Sequence, residues 1–137
     1  MNAARQGFEE IEHTADWALR VWAPNHAELF RQAAIGMNQL SELELDSTVP
    51  LVEELSLAAI DIESLLVSFL SELVFLGEQD DLGFDGFDLS IDRLRLLAKL
   101  SGGKIISQKK EIKAVTYHNL EVIEIEGGFQ VVIVFDV

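Results

Sequence analysis

Two hydrophobic periods divide the chain. Phe8 and Ile11 mark a short strand. In the run Trp17 to Ala23, Leu19, Val21 and Ala23 alternate with Ala18, Arg20 and Trp22, the two-residue period of a half-buried strand. The period then lengthens. Asn25 can cap a helix, and Glu28 follows three residues later, as in a capping box with Asn in place of Ser or Thr. Leu29, Phe30, Ala33, Ala34, Met37 and Leu40 recur at helical spacing and predict a helix to about Leu40. Val49 to Ile60 is strand-like. Asp61 can cap a second helix, whose apolar surface (Leu65, Leu66, Phe69, Leu70, Leu73, Val74, Leu76) is too wide for one-sided burial. That helix is expected to be covered on two sides and to end near Gly77.

Gly83 to Gly86 reads as a turn, and Phe87 to Leu100 as one long strand. Gly102-Gly103 carries the signal of a two-residue hairpin turn. Ile105 to His118 reads as the returning strand, interrupted around Ser107 to Glu111. Leu120 to Glu126 and Phe129 to Val137 read as a final hairpin around Gly127-Gly128. The order ββαβα followed by four strands predicts an α+β fold: a single domain over residues 1–137, mostly antiparallel sheet packed with two α-helices.

Composition narrows the function. A chain of 137 residues, 49% hydrophobic, buries enough surface to fold without a disulfide or a structural metal. No apolar run reaches the ~18–20 residues that span a bilayer, and Arg5 to Glu12 is too polar for the apolar part of a signal peptide. There is no cysteine, so disulfides and thiol chemistry are excluded and a cytoplasmic location is expected. The net charge is −14. Its only local basic cluster is Lys104, Lys109, Lys110 and Lys113, so direct nucleic-acid binding is not expected. A basic protein partner or divalent cations fit the charge better.

Against that background one site stands out. Phe135, Asp136 and Val137 follow the apolar run Val131 to Val134, so a strand is expected to deliver the Asp136 side chain and the Val137 α-carboxylate side by side. His13-Thr14-Ala15-Asp16 lies between the first two strands; if the first and last strands are neighbours, Asp16 could meet Asp136. Three converging carboxylates repel one another. A bound cation or a shared proton relieves this, and oxygen ligands favour Ca²⁺, Mg²⁺ or Mn²⁺ over zinc. His13 could ligate a metal or hold Asp16, although a histidine at such a junction is more often structural. His26 and His118 read as surface or supporting residues, and Trp17 and Trp22 as packing.

Three segments, in order, resemble the archease family: Phe8 to Asp16 (FEEIEHTAD), Lys113 to His118 (KAVTYH) and the terminal Asp136-Val137. Glu63-Ser64-Leu65-Leu66-Val67 and Phe69-Leu70-Ser71-Glu72-Leu73 resemble the same family's central helix. The resemblance implies a protein cofactor, not itself an enzyme, that assists the RtcB-type RNA ligase of tRNA splicing and RNA repair. It implies promotion of ligase guanylylation and multiple turnover, and a divalent cation held by Asp16, Asp136 and Val137. His13 and Lys113 are then candidates for activating the partner. The chain departs from the family pattern in having Glu12 before HTAD, and Ala23-Pro24-Asn25-His26 after the second strand. A chaperone-like protein for nucleic-acid-modifying enzymes is the alternative. A metal-dependent hydrolase is disfavoured, because no nucleophile–base pair, HExxH or P-loop occurs.

Overall fold

The computed structural model describes residues 5–11 and 17–137. Its elements are β1 (Gly7–Ile11), β2 (Trp17–Ala23), α1 (His26–Ser41), β3 (Leu43–Leu45), β4 (Leu51–Ala58), α2 (Ile62–Asp80), β5 (Leu82–Asp92), β6 (Arg95–Gln108), β7 (Ala114–Val115), β8 (Ile123–Ile125) and β9 (Gly128–Asp136). They form an α+β domain of two antiparallel sheets. The first runs β1-β2-β9-β7, with β8 also on β9; in the second, β3, β4 and β5 all pair with β6.

Both helices lie between the sheets. α1 touches β1, β2 and β9 of the first sheet and β3 and β5 of the second; α2 touches β7 of the first and β4, β5 and β6 of the second. This is the two-sided burial that the apolar surface of α2 predicts. Leu65, Leu66, Phe69 and Leu70 are fully buried, and Phe69 stands between Phe30 of α1 (ring centroids 6.0 Å apart) and Phe87 of β5 (6.3 Å, edge-on). The helix starts follow from their caps. Asn25 Oδ1 accepts the Glu28 N–H at 2.8 Å, and Asp61 Oδ1 accepts the Ser64 N–H at 2.7 Å.

Several expectations are corrected. Gly102-Gly103 is no turn but the interior of β6. A Cβ on Gly102 would overlap the Gly83 carbonyl oxygen and one on Gly103 the Asp46 carbonyl oxygen, so these glycines serve close backbone approach. The hairpin lies earlier. Phe87 to Leu100 is not one strand but the end of β5 and the start of β6, joined at Arg93-Leu94, where both residues are left-handed (φ 50° and 62°). This is the backbone of a type I′ turn without its usual Asn-Gly. Gly83 to Gly86 is likewise strand, with a register shift between Phe84 and Gly86. Gly77 does lie near the end of α2, which closes at a left-handed cap at Asp81 (φ 55°). β3 adds a strand not expected, whereas the interruption expected in the Ile105 to His118 segment is present, between Gln108 and Ala114. The Gly127-Gly128 hairpin stands, with Gly127 at φ 82°.

Candidate functional site

The end of β9 is gripped from both sides. Trp17 of β2 pairs with Phe135 on one edge; Val115 and Ala114 pair with Phe135 and Asp136 on the other. The Lys113 N–H donates to the Asp136 carbonyl at 2.8 Å. The Thr116 N–H and hydroxyl both donate to the Val134 carbonyl, at 3.0 and 2.9 Å. Strand alternation sends Phe135 into the core, fully buried, and leaves the Asp136 side chain exposed. The carboxylate thus reaches solvent without a burial cost while its backbone is fixed. Val137 is half-buried against the core.

Of the residues singled out in the sequence, the fold brings Asp136, Val137 and Lys113 together. Asp16 and His13 lie outside the described residues. Among the described residues no group of three or more histidine, aspartate or glutamate side chains could hold a metal ion. Asp136 and Val137 are the expected cation-site residues that fall within the described residues.

The sequence shows the lysine cluster of residues 104–113 but not where the fold puts it. Lys110 sits with its ammonium 4.7 Å from the centre of the Trp17 ring, and its N–H donates to the Ser41 carbonyl at 3.2 Å. Lys109 Nζ lies 3.7 Å from a Glu42 carboxylate oxygen. Three of the four clustered lysines thus fall on the segment leading into β7, while Lys104 is on β6. The 17–110 pairing spans most of the chain, and no local signal announces it. A groove of about 570 Å³ runs beside it, with Phe8, Trp17 and Leu40 in its walls and Glu9, Glu10 and Lys109 among its polar residues.

Of the remaining histidines, His26 opens α1 and His118 follows β7. The His26 ring packs on Phe129 (centroids 4.2 Å apart), and partial burial lowers its pKa, only partly offset by the Glu63 carboxylate. Glu63 itself accepts the Val122 N–H at 2.8 Å. His118 is exposed beside Asn119.

Comparison with known proteins agrees with the resemblance in the sequence. The family model described as Archease protein family (MTH1598/TM1083) matches residues 8–137. A protein archease of Methanosarcina mazei is 35% identical over 140 residues, covering 95% of each chain. Two solved structures share the fold. The solution structure of protein 1598 of Methanobacterium thermoautotrophicum superposes with a TM-score of 0.72 at 24% identity, covering 96% of this chain and 99% of that one. The crystal structure of a Thermotoga maritima protein described as an archease, possible chaperone, gives 0.71 at 23% identity, covering 94% and 96%.

Proposed function

The chain belongs to the archease family, and from that premise we propose that it is a protein activator of an RtcB-type RNA ligase in tRNA splicing or RNA repair, promoting ligase guanylylation and repeated turnover without being an enzyme itself. The observation that carries this reading is the anchored end of β9. An exposed carboxylate, Asp136, stands on a strand whose backbone is locked by Trp17 on one edge and by Lys113 and Ala114 on the other. A site that must present charge to a partner at a fixed place needs this combination of rigid backbone and accessible side chain.

In this proposal Asp16, Asp136 and the Val137 carboxylate hold a divalent cation, Ca²⁺, Mg²⁺ or Mn²⁺, and His13 and Lys113 act on the partner. When bound, such a cation supplies electrophilic stabilisation of charge developing on a transferring phosphoryl group. The chain's own residues supply the rest. Asp136 holds a negative oxygen at the sheet's end. Lys113, exposed one pairing step away, offers an ammonium to a phosphate, and the acidic body favours docking on a basic ligase surface.

The test is single-turnover guanylylation of the cognate ligase, with and without this protein, comparing wild type with Asp16→Ala and Asp136→Ala. Acceleration by wild type and its loss in both variants, with folding intact by circular dichroism, is the expected result. Acceleration retained in both keeps the partner and removes the cation site from the mechanism. No acceleration overturns the ligase reading. The chaperone-like alternative draws on the description of the Thermotoga maritima relative as a possible chaperone. It predicts suppression of client aggregation that is indifferent to Asp16 and Asp136.

A further inference from the structure

β4 pairs with β6 along one edge, and among the described residues no strand pairs with its other edge. One hydrogen bond shows which backbone groups point outward. The Ala59 N–H donates to the Leu94 carbonyl at 3.2 Å, one step beyond the Ala58–Arg95 pair of the ladder. In an antiparallel ladder only alternate residues bond across. Leu51, Glu53, Leu55 and Leu57 therefore bond to β6. Val52, Glu54, Ser56 and Ala58 aim their N–H and C=O groups away from it.

The other edge strands are short or bulged. β1 has five residues, β3 and β8 three and β7 two, and β5 shifts register between Phe84 and Gly86. β4 runs for eight residues with no shift, proline or lysine, the kind of edge that accepts another strand. Exposed apolar side chains collect along it: Val49 (64% exposed) just before the strand, Val52 (59%) on it and Ile60 (90%) just after it.

We propose that β4 pairs antiparallel with β4 of a second copy of this chain, across a two-fold axis, so that the two second sheets become one. Backbone and charge together select the register. The outward groups belong to even-numbered residues, so they bond only where even meets even. An axis at Glu53 or Glu54 sets that carboxylate against itself. An axis at Leu55 pairs Val52 with Ala58 and Glu54 with Ser56, each twice by symmetry, and sets Glu53 opposite Leu57. At each end Ile60 of one copy then comes level with Pro50, next to Val49, of the other, so the exposed apolar residues that flank the strand cover one another. Pro50 has no N–H and ends the ladder there. This edge belongs to the second sheet, whereas the end of β9 belongs to the first, and the pairing does not depend on the ligase reading.

The test is sedimentation equilibrium of the full chain over a wide range of concentrations. Each copy carries a net charge of −14, so the measurement is made in about 0.15 M salt, where the Debye length is about 8 Å. A monomer–dimer equilibrium is expected. Ser56→Lys, which faces Glu54 of the other copy with an ammonium, should tighten it about fivefold, and Ser56→Glu should loosen it by a similar factor, because each cross-strand pair occurs twice. The same charge changes on exposed α2, Gln79→Lys and Gln79→Glu, should leave it unchanged. Ser56→Pro removes an outward N–H and none that β6 uses, and should leave only monomer. Monomer at every concentration overturns the pairing and leaves the edge to a strand of another protein. Dimers indifferent to Ser56→Pro overturn the edge as the interface. Equal effects at Ser56 and Gln79 overturn the register. The Ser56 side chain is exposed, so its lysine and glutamate variants decide the matter even if Ser56→Pro fails to fold.

Discussion

His26 shows how a single side chain can be fixed by packing and still report on acidity. Its ring lies against Phe129, and burial holds its pKa below 6.5 despite Glu63. The folded state therefore binds fewer protons here than the unfolded chain does. The resulting stability is complete above pH 6.5 and is lost as pH falls from there toward the depressed folded value. Urea unfolding near neutrality and about one pH unit below the free-histidine pKa should show wild type losing more stability than His26→Gln; equal losses would mean that His26 does not sense its burial. Lys113 divides its work differently. Its backbone N–H holds Asp136 while its side chain is exposed. Lys113→Met should change stability by less than about 0.5 kcal/mol and reduce stimulation of ligase guanylylation. Undiminished stimulation would confine Lys113 to its backbone role.

Among the elements, what the sequence makes legible is whatever is written locally. α1 and α2 are readable because Asn25 and Asp61 cap them through their own side chains and because their apolar faces repeat. β2 and the last hairpin are readable from alternation and from Gly127. What is hidden depends on distant backbone. The glycines of β6 look like a turn but accommodate Gly83 and Asp46. The true turn at Arg93-Leu94 and the helix ends at Glu42 and Asp81 use left-handed non-glycine residues, which local rules do not anticipate. β3 has three residues, too few for a periodic signal. Asp136 is legible as a candidate because it follows an apolar run; the lysines are legible as a cluster, but the contact of Lys110 with Trp17 is not. Two substitutions separate the glycine roles by thermal or urea unfolding. Leu94→Gly should raise stability by about 1 kcal/mol by relieving a left-handed leucine. Gly102→Ala should lower it by about 1–3 kcal/mol or more, because the clash is with backbone that cannot rotate away. A neutral Gly102→Ala would refute the close-approach role.

At the scale of the molecule, charge and connectivity dominate. With 24 acidic against 10 basic residues, the folded chain concentrates like charge, and self-repulsion opposes compaction. Raising sodium chloride from low ionic strength to about 0.15 M shortens the Debye length to about 8 Å and should raise the melting temperature. A melting temperature that fell or stayed flat would show that local ion pairs outweigh the net charge.

Connectivity carries a further consequence. The β2–β9 ladder joins residues 17–23 to residues 129–135, so more than a hundred residues separate the two halves of one sheet. During synthesis from the N-terminus, β2 can pair with β1 early, but its other edge must wait until residues 129–135 have been translated. Until then Leu19 and Val21, both buried in the finished protein, belong to a two-stranded hairpin only. The second sheet closes sooner, because β6 gathers all its partners by residue 108. The nascent chain is thus expected to mature in two stages, with β9 as the last strand to be added.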